Sequence, residues 1–226
     1  MRSLMLAAGC LVLAAVWLLP LRDLMPGPFS THMTIHMSVV AVAAPLIAAG
    51  MAGRAFDPVR AWPALFPAIA ISVIELCVVW VWHAPALHHA ARHSAAVQVM
   101  EQASFLATGL WLWLAALGGT AAQRATRGAI GIVALLLTSM HMTLLGALLA
   151  LPTRPLYAGA GSLGSMTDVS TLRDQHLGGA IMLAVGGISY LAGGLWLAAG
   201  LLRRHPRPIV ERRKDTESVL HAVEAP

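Results

Sequence analysis

The chain has 226 residues, of which 58% are hydrophobic and 11% charged, and its formal net charge is +5. A soluble domain carries about a quarter charged residues, and a chain with a mean hydropathy of +0.73 would expose more apolar surface than water tolerates. A soluble globular protein and a disordered chain are both excluded.

Six apolar stretches of helix-spanning length follow one another, over 4–21, 30–52, 62–82, 95–117, 128–150 and 177–202, against the roughly 20 residues a bilayer core requires. Of all the charged residues, only Glu75 and Glu101 lie inside them. The expected fold is all-α: a polytopic transmembrane helix bundle of about six spans over residues 1–202, followed by a mobile basic tail over 203–226. The first stretch follows Arg2, and no small-x-small cleavage site follows it, so it reads as a retained span and not as a signal peptide.

The Lys and Arg residues orient this bundle. Arg2, Arg54, Arg60, Arg124, Arg127 and the tail cations from Arg203 to Lys214 fall on one side, whereas Arg22, Arg92, Arg154 and Arg173 fall on the other. The richer side is expected in the cytoplasm with both termini, as in a bacterial-type inner membrane. The pI near 10.2 reflects this asymmetry, and without an aromatic-basic stripe it gives no sign of nucleic-acid binding.

Cys10 and Cys77 are far apart in sequence and lack a Cys-x-x-Cys partner, so no disulfide framework is indicated. The segment from Pro152 to His176, with its Ala158–Ser165 run of small residues, reads as the one long loop, on the outer face. In the last span Gly179, Gly186, Gly193 and Gly200 recur every seven residues, a stripe that lets another helix approach closely.

With this orientation, the intramembrane polar groups fall in the outer half of the bundle. His32 and His36 share a face one turn apart at the outer start of the second span. The third span ends at His83, with Glu75 about 12 Å deeper. Glu101 lies about two turns into the fourth span, and His141 about 14 Å below the outer end of the fifth. Asp174 and His176 precede the sixth. Each buried polar group is costly unless it finds a partner or a cavity, so groups from five spans at similar depth point to a shared site.

Histidine and methionine recur together, as His32-Met33, His36-Met37 and Met140-His141-Met142. Imidazole with thioether is a soft ligand set suited to Cu(I), and facing histidines also suit haem. The candidate metal ligands are His32, His36, His83, His141, Met37, Met140 and Met142, with Glu75, Glu101, Asp174 and His176 in support, the carboxylates as outer-shell partners of the imidazoles. Glu75 and Glu101 read equally as hydrogen-bonding or proton-transfer residues. His88, His89 and His93, with Arg92, read as a solvated amphipathic connection.

The chain resembles the CtaG-type cytochrome c oxidase assembly proteins, a polytopic membrane family. The resemblance rests on His32-Met-Thr-Ile-His-Met37, Val81-Trp-His-Ala-Pro-Ala-Leu87, Ser104-Phe-Leu106, Ser139-Met-His-Met-Thr-Leu-Leu-Gly146, Pro155-Leu-Tyr157 and Asp174-Gln-His-Leu-Gly-Gly-Ala-Ile-Met182. Gln102 and His176 depart from the family pattern, and many relatives have an additional span. The resemblance implies a non-enzymatic assembly factor for haem-copper oxidases of the respiratory chain, a metallochaperone with copper, as Cu(I), as its cargo. It puts forward His32, His36, His83 and His141 as ligands, and oxidase subunits or other copper chaperones as partners. A homo-oligomer, a membrane haem or copper redox enzyme, and a metal-free structural scaffold remain open on the residues alone.

Overall fold

The computed structural model of the chain describes residues 1–20, 27–157 and 166–203. The described residues contain no strand. Helix α1 is Arg2–Leu18 and α2 is Pro28–Met51. Helix α3, Ala68–Trp82, is followed by α4, Pro85–His93, which bends away from it by 71°. Next come α5, Ala95–Leu117, and α6, Arg124–Ala150. Helix α7 runs through three consecutive segments, Met166–Ile181, Met182–Gly186 and Gly187–Leu202.

The protein is thus an all-helical membrane protein. Its long helices follow the order of the six apolar stretches, and three of them are long and apolar enough to cross a bilayer: Pro28–Met51, Arg124–Ala150 and Val169–Leu202. The bent α3–α4 pair makes a fourth if it counts as one broken span. Helix α1, with 17 residues, is at the lower limit of the length a bilayer needs, and polar Gln98, Glu101, Gln102, Ser104 and Thr108 dilute α5.

Two boundaries differ from expectation. The stretch from Trp62 does not start a span, because Pro63 and Pro67 break it and the helix begins at Ala68. The expected loop of 152–176 is helical from Met166 onward; its residues up to His176 are mostly polar, so hydropathy ends the span where the backbone does not. The Ala158–Ser165 run and the tail beyond Arg203 lie outside the described residues.

Helix α2 is central, packed against α1, α5 and α7, while α6 contacts α3, α5 and α7. Small residues set the closest approaches. A Cβ on Gly179 would stand 2.6 Å from the Ala150 nitrogen, and one on Gly146 2.8 Å from that of Leu183, so α6 and α7 meet backbone to backbone. The glycine stripe serves several neighbours: Gly186 faces Met37 and Met142, Gly193 faces Trp113, and Gly200 has nothing within 4 Å.

Within α2, residues Ser38–Ala43 form a wider π turn. Pro45 has no N–H to give to the Ala41 carbonyl one turn earlier, and that carbonyl instead accepts a hydrogen bond from the Ser189 hydroxyl. The neighbouring Val40 carbonyl accepts from Trp113 Nε1 at 3.2 Å. A second π turn, Met182–Gly186, lies beside it, where Gly186 meets the Met37 sulfur.

Asp174 is a cap and not a partner of the histidines. Its two oxygens accept the backbone N–H groups of Phe29, at 2.8 Å, and Ser30, at 3.0 Å, and so satisfy the open start of α2. Gly27 must be small here, since a Cβ would sit 2.2 Å from the Asp174 carboxyl carbon. Asp174→Ala should cost about 1–2 kcal/mol, seen as a lower thermal midpoint in detergent, with Asp174→Asn less damaging; an unchanged midpoint for the alanine variant would show the cap to be idle.

Candidate metal centre

Four histidines meet where α2, α3, α4 and α5 converge. His32 and His36 stack along α2 with ring centroids 6.4 Å apart, one turn separating them. His83 caps the end of α3, 5.5 Å from the His36 ring and 6.1 Å from that of His32. His88, on α4, approaches His32 edge-on at 4.9 Å. One ligand atom from each of His32, His88 and Glu101 lies within 4.8 Å of the other two. Phe105 of α5 lies against His36, with centroids 3.9 Å apart.

The hydrogen bonds leave the right atoms open. His83 Nδ1 lies 2.6 Å from the Val79 carbonyl, which can only accept, so this nitrogen carries the proton and Nε2 keeps its lone pair. His32 Nδ1 faces Glu101 Oε2 at 3.6 Å. His32 Nε2, both His36 nitrogens, His83 Nε2 and His88 Nδ1 are buried with no hydrogen-bond partner. An unsatisfied buried polar atom costs about 1–3 kcal/mol, so such a concentration at one point is costly until something joins the imidazoles.

The surroundings hold these rings in place. Trp82 Nε1 donates to Ser104 Oγ at 2.9 Å, and Ser104 in turn donates to the Glu101 carbonyl. Phe29, His88 and Tyr157 form an aromatic roof, with centroids 4.6 to 5.3 Å apart. The Tyr157 hydroxyl donates to the His83 carbonyl at 2.7 Å. Burial pushes this phenol up to about 12, so it keeps its proton and the bond at any ordinary pH. Gln175 accepts from the Leu156 N–H and donates to the Leu149 carbonyl, while His176 bonds the Pro152 carbonyl. The Asp174-Gln-His segment therefore fastens the roof and supplies no ligand, and His176 leaves the supporting set. A cavity of about 320 Å³ reaches His32 and Glu101 past Thr31, Gln98 and Gln102.

The remaining candidates lie elsewhere. Met140 is 68% exposed because successive helical residues are about 100° apart, which turns it away when His141 and Met142 face inward. Met37 and Met142 are buried and meet at Gly186, on the face of α2 toward α7. His141 is buried with both nitrogens unpaired, and among the described residues its ring contacts no other histidine. Glu75 belongs to a deeper polar layer, where the Tyr190 hydroxyl donates to it at 2.7 Å. Cys77 is exposed.

His88 is the residue that sequence reasoning missed. It is 3% exposed and shares the buried face of α4 with Ala91, while His89 and His93 stack on the exposed side. The signal was Pro85 directly after Trp82-His-Ala, which bends the chain and returns α4 over the histidines.

Fold and site together define a helical membrane protein with a buried imidazole cluster at one end of its bundle. The family described as cytochrome c oxidase caa3 assembly factor (Caa3_CtaG) matches residues 1–204. The chain belongs to this family, in agreement with the resemblance carried by its motifs. No curated protein and no solved structure matches it. The family is one of assembly factors, and its role entails contact with cytochrome c oxidase components.

Proposed function

We propose that the protein is a multi-pass inner-membrane assembly factor, with six spans and both termini in the cytoplasm, that accepts copper as Cu(I) and passes it to a haem-copper cytochrome c oxidase. The ligands are His32, His36 and His83, joined by His88. Support comes chiefly from the unpaired imidazole nitrogens gathered there. In a tetrahedral imidazole site, ligand atoms about 2.0–2.1 Å from the ion stand about 3.3 Å apart; His32 and His88 already bring one ligand atom each within 4.8 Å of the other, and His36 and His83 would close in around them. Glu101 acts from outside by holding the His32 Nδ1 proton. As a direct ligand it would suit a harder ion than Cu(I). Met37 of α2 and Met142 of α6 supply thioethers on the α7-facing side of α2.

Delivery requires few ligands and a path for exchange, which the cavity beside His32 provides. Purified protein reconstituted with Cu(I) should hold it stoichiometrically and show no Soret band, and a deletion strain should contain copper-poor oxidase. A Soret band would favour a haem redox enzyme, and fully metallated oxidase in the deletion strain would favour a scaffold.

A further inference from the structure

The opposite end of the bundle carries a second built feature. Helix α2 puts about 36 Å between its first residue and its last, and beyond its end a cavity of about 500 Å³ opens between the start of α1, the start of α6 and the end of α7. Arg2, Arg124, Arg127 and Arg203 line it. The first two converge on Gly53: a Cβ there would lie 3.3 Å from Arg2 Nη1 and 3.8 Å from Arg124 Nη2. None of the four forms a salt bridge among the described residues. The nearby carboxylate, Asp57, accepts the backbone N–H groups of Gly53, Val59 and Gly119 and offsets part of the charge of Arg127 alone. Arg127 donates from Nη2 to the Phe66 and Ala115 carbonyls, and its Nε is buried with no acceptor.

Like charges gathered in this way repel unless an anion joins them. The rest of the lining is apolar, with Met5 and Leu197 on the walls and Trp196 67% exposed at the rim, the amphipathic residue favoured at a membrane interface. A ligand that matches both parts has an anionic head and a hydrocarbon body. Here the guanidiniums sit at helix ends, at headgroup level, where basic pockets between membrane helices take acidic lipids.

We propose that this cavity binds an anionic glycerophospholipid, its phosphate diester held by Arg2, Arg124, Arg127 and Arg203 and its acyl chains running outward past Met5 and Trp196. Inorganic phosphate offers the same oxygens without the chains. The full-length protein, purified in neutral detergent and stripped of lipid, is examined by native mass spectrometry with phosphatidylglycerol, phosphatidylcholine or inorganic phosphate. Phosphatidylglycerol should be retained about tenfold or more over phosphatidylcholine, since each cation near a lipid surface contributes about fivefold. The R2Q/R124Q double variant should lose that preference and the R2K/R124K variant keep it. Equal retention of the two lipids, phosphate bound as well as phosphatidylglycerol, or a preference untouched by R2Q/R124Q would each overturn the proposal. Should the glutamine variant fail to fold, the wild-type comparison decides alone.

Discussion

His36→Ala should abolish tight copper binding while leaving the helix bundle folded. The ring is fully buried, touches Phe105 and His83, and has two unpaired nitrogens. Losing even an outer-shell partner typically costs 10–100-fold in metal affinity, so loss of a ligand should reduce affinity by at least about 100-fold. His83→Ala and His88→Ala should act in the same direction, and His93→Ala, on the exposed side of α4, should not. Competition with a colorimetric Cu(I) chelator measures affinity, and helicity by circular dichroism reports the fold. A purely structural histidine would reverse the pattern: His36→Ala would impair folding and leave the metal content per folded chain unchanged.

The largest effect on stability is expected at Gly179. A Cβ there meets the Ala150 nitrogen at 2.6 Å and the Gly146 carbonyl oxygen at 2.8 Å. These are backbone atoms of α6, with no rotamer by which to move aside. Gly179→Val should destabilise the protein by at least about 1–3 kcal/mol through overpacking and separate α7 from α6. Gly200→Ala occupies the same stripe with nothing within 4 Å, and should be neutral or stabilise by about 0.5–1 kcal/mol through helix propensity. Thermal unfolding in a single detergent compares the two; equal midpoints would mean that the α6–α7 contact tolerates a side chain.

The contrast between these glycines also shows what could be read from the chain and what could not. Seven-residue spacing identified a packing stripe, but which of its members touch a neighbour depends on which helix lies against each level of α7. Helix spacing likewise placed His32 and His36 on one face, and the rise per residue separated Glu75 from His83 by two turns. The soft-ligand pattern overreached at Met140, since adjacency in sequence is not adjacency on a helix. His88 was hidden for a tertiary reason: its environment exists only because the chain bends by 71° after His83. Asp174 and His176 were recognised as motif residues, but their hydrogen bonds go to backbone groups of α2 and of the Pro152 turn, partners no local pattern reveals.

The wider turn after Met37 has a consequence for how α2 is to be altered. A π turn takes up more residues per revolution than the α-helix on either side, so the two halves of α2 keep separate angular registers along one axis. Residues 28–37 aim the histidines, and residues 44–51 aim the small side chains that receive α1. Closing residues 38–43 as ordinary α-helix without removing a residue would turn one half against the other by about 100°. The histidine-bearing stripe and the α1-facing stripe would then be unable to fit their neighbours together, although every side chain in both remained unchanged.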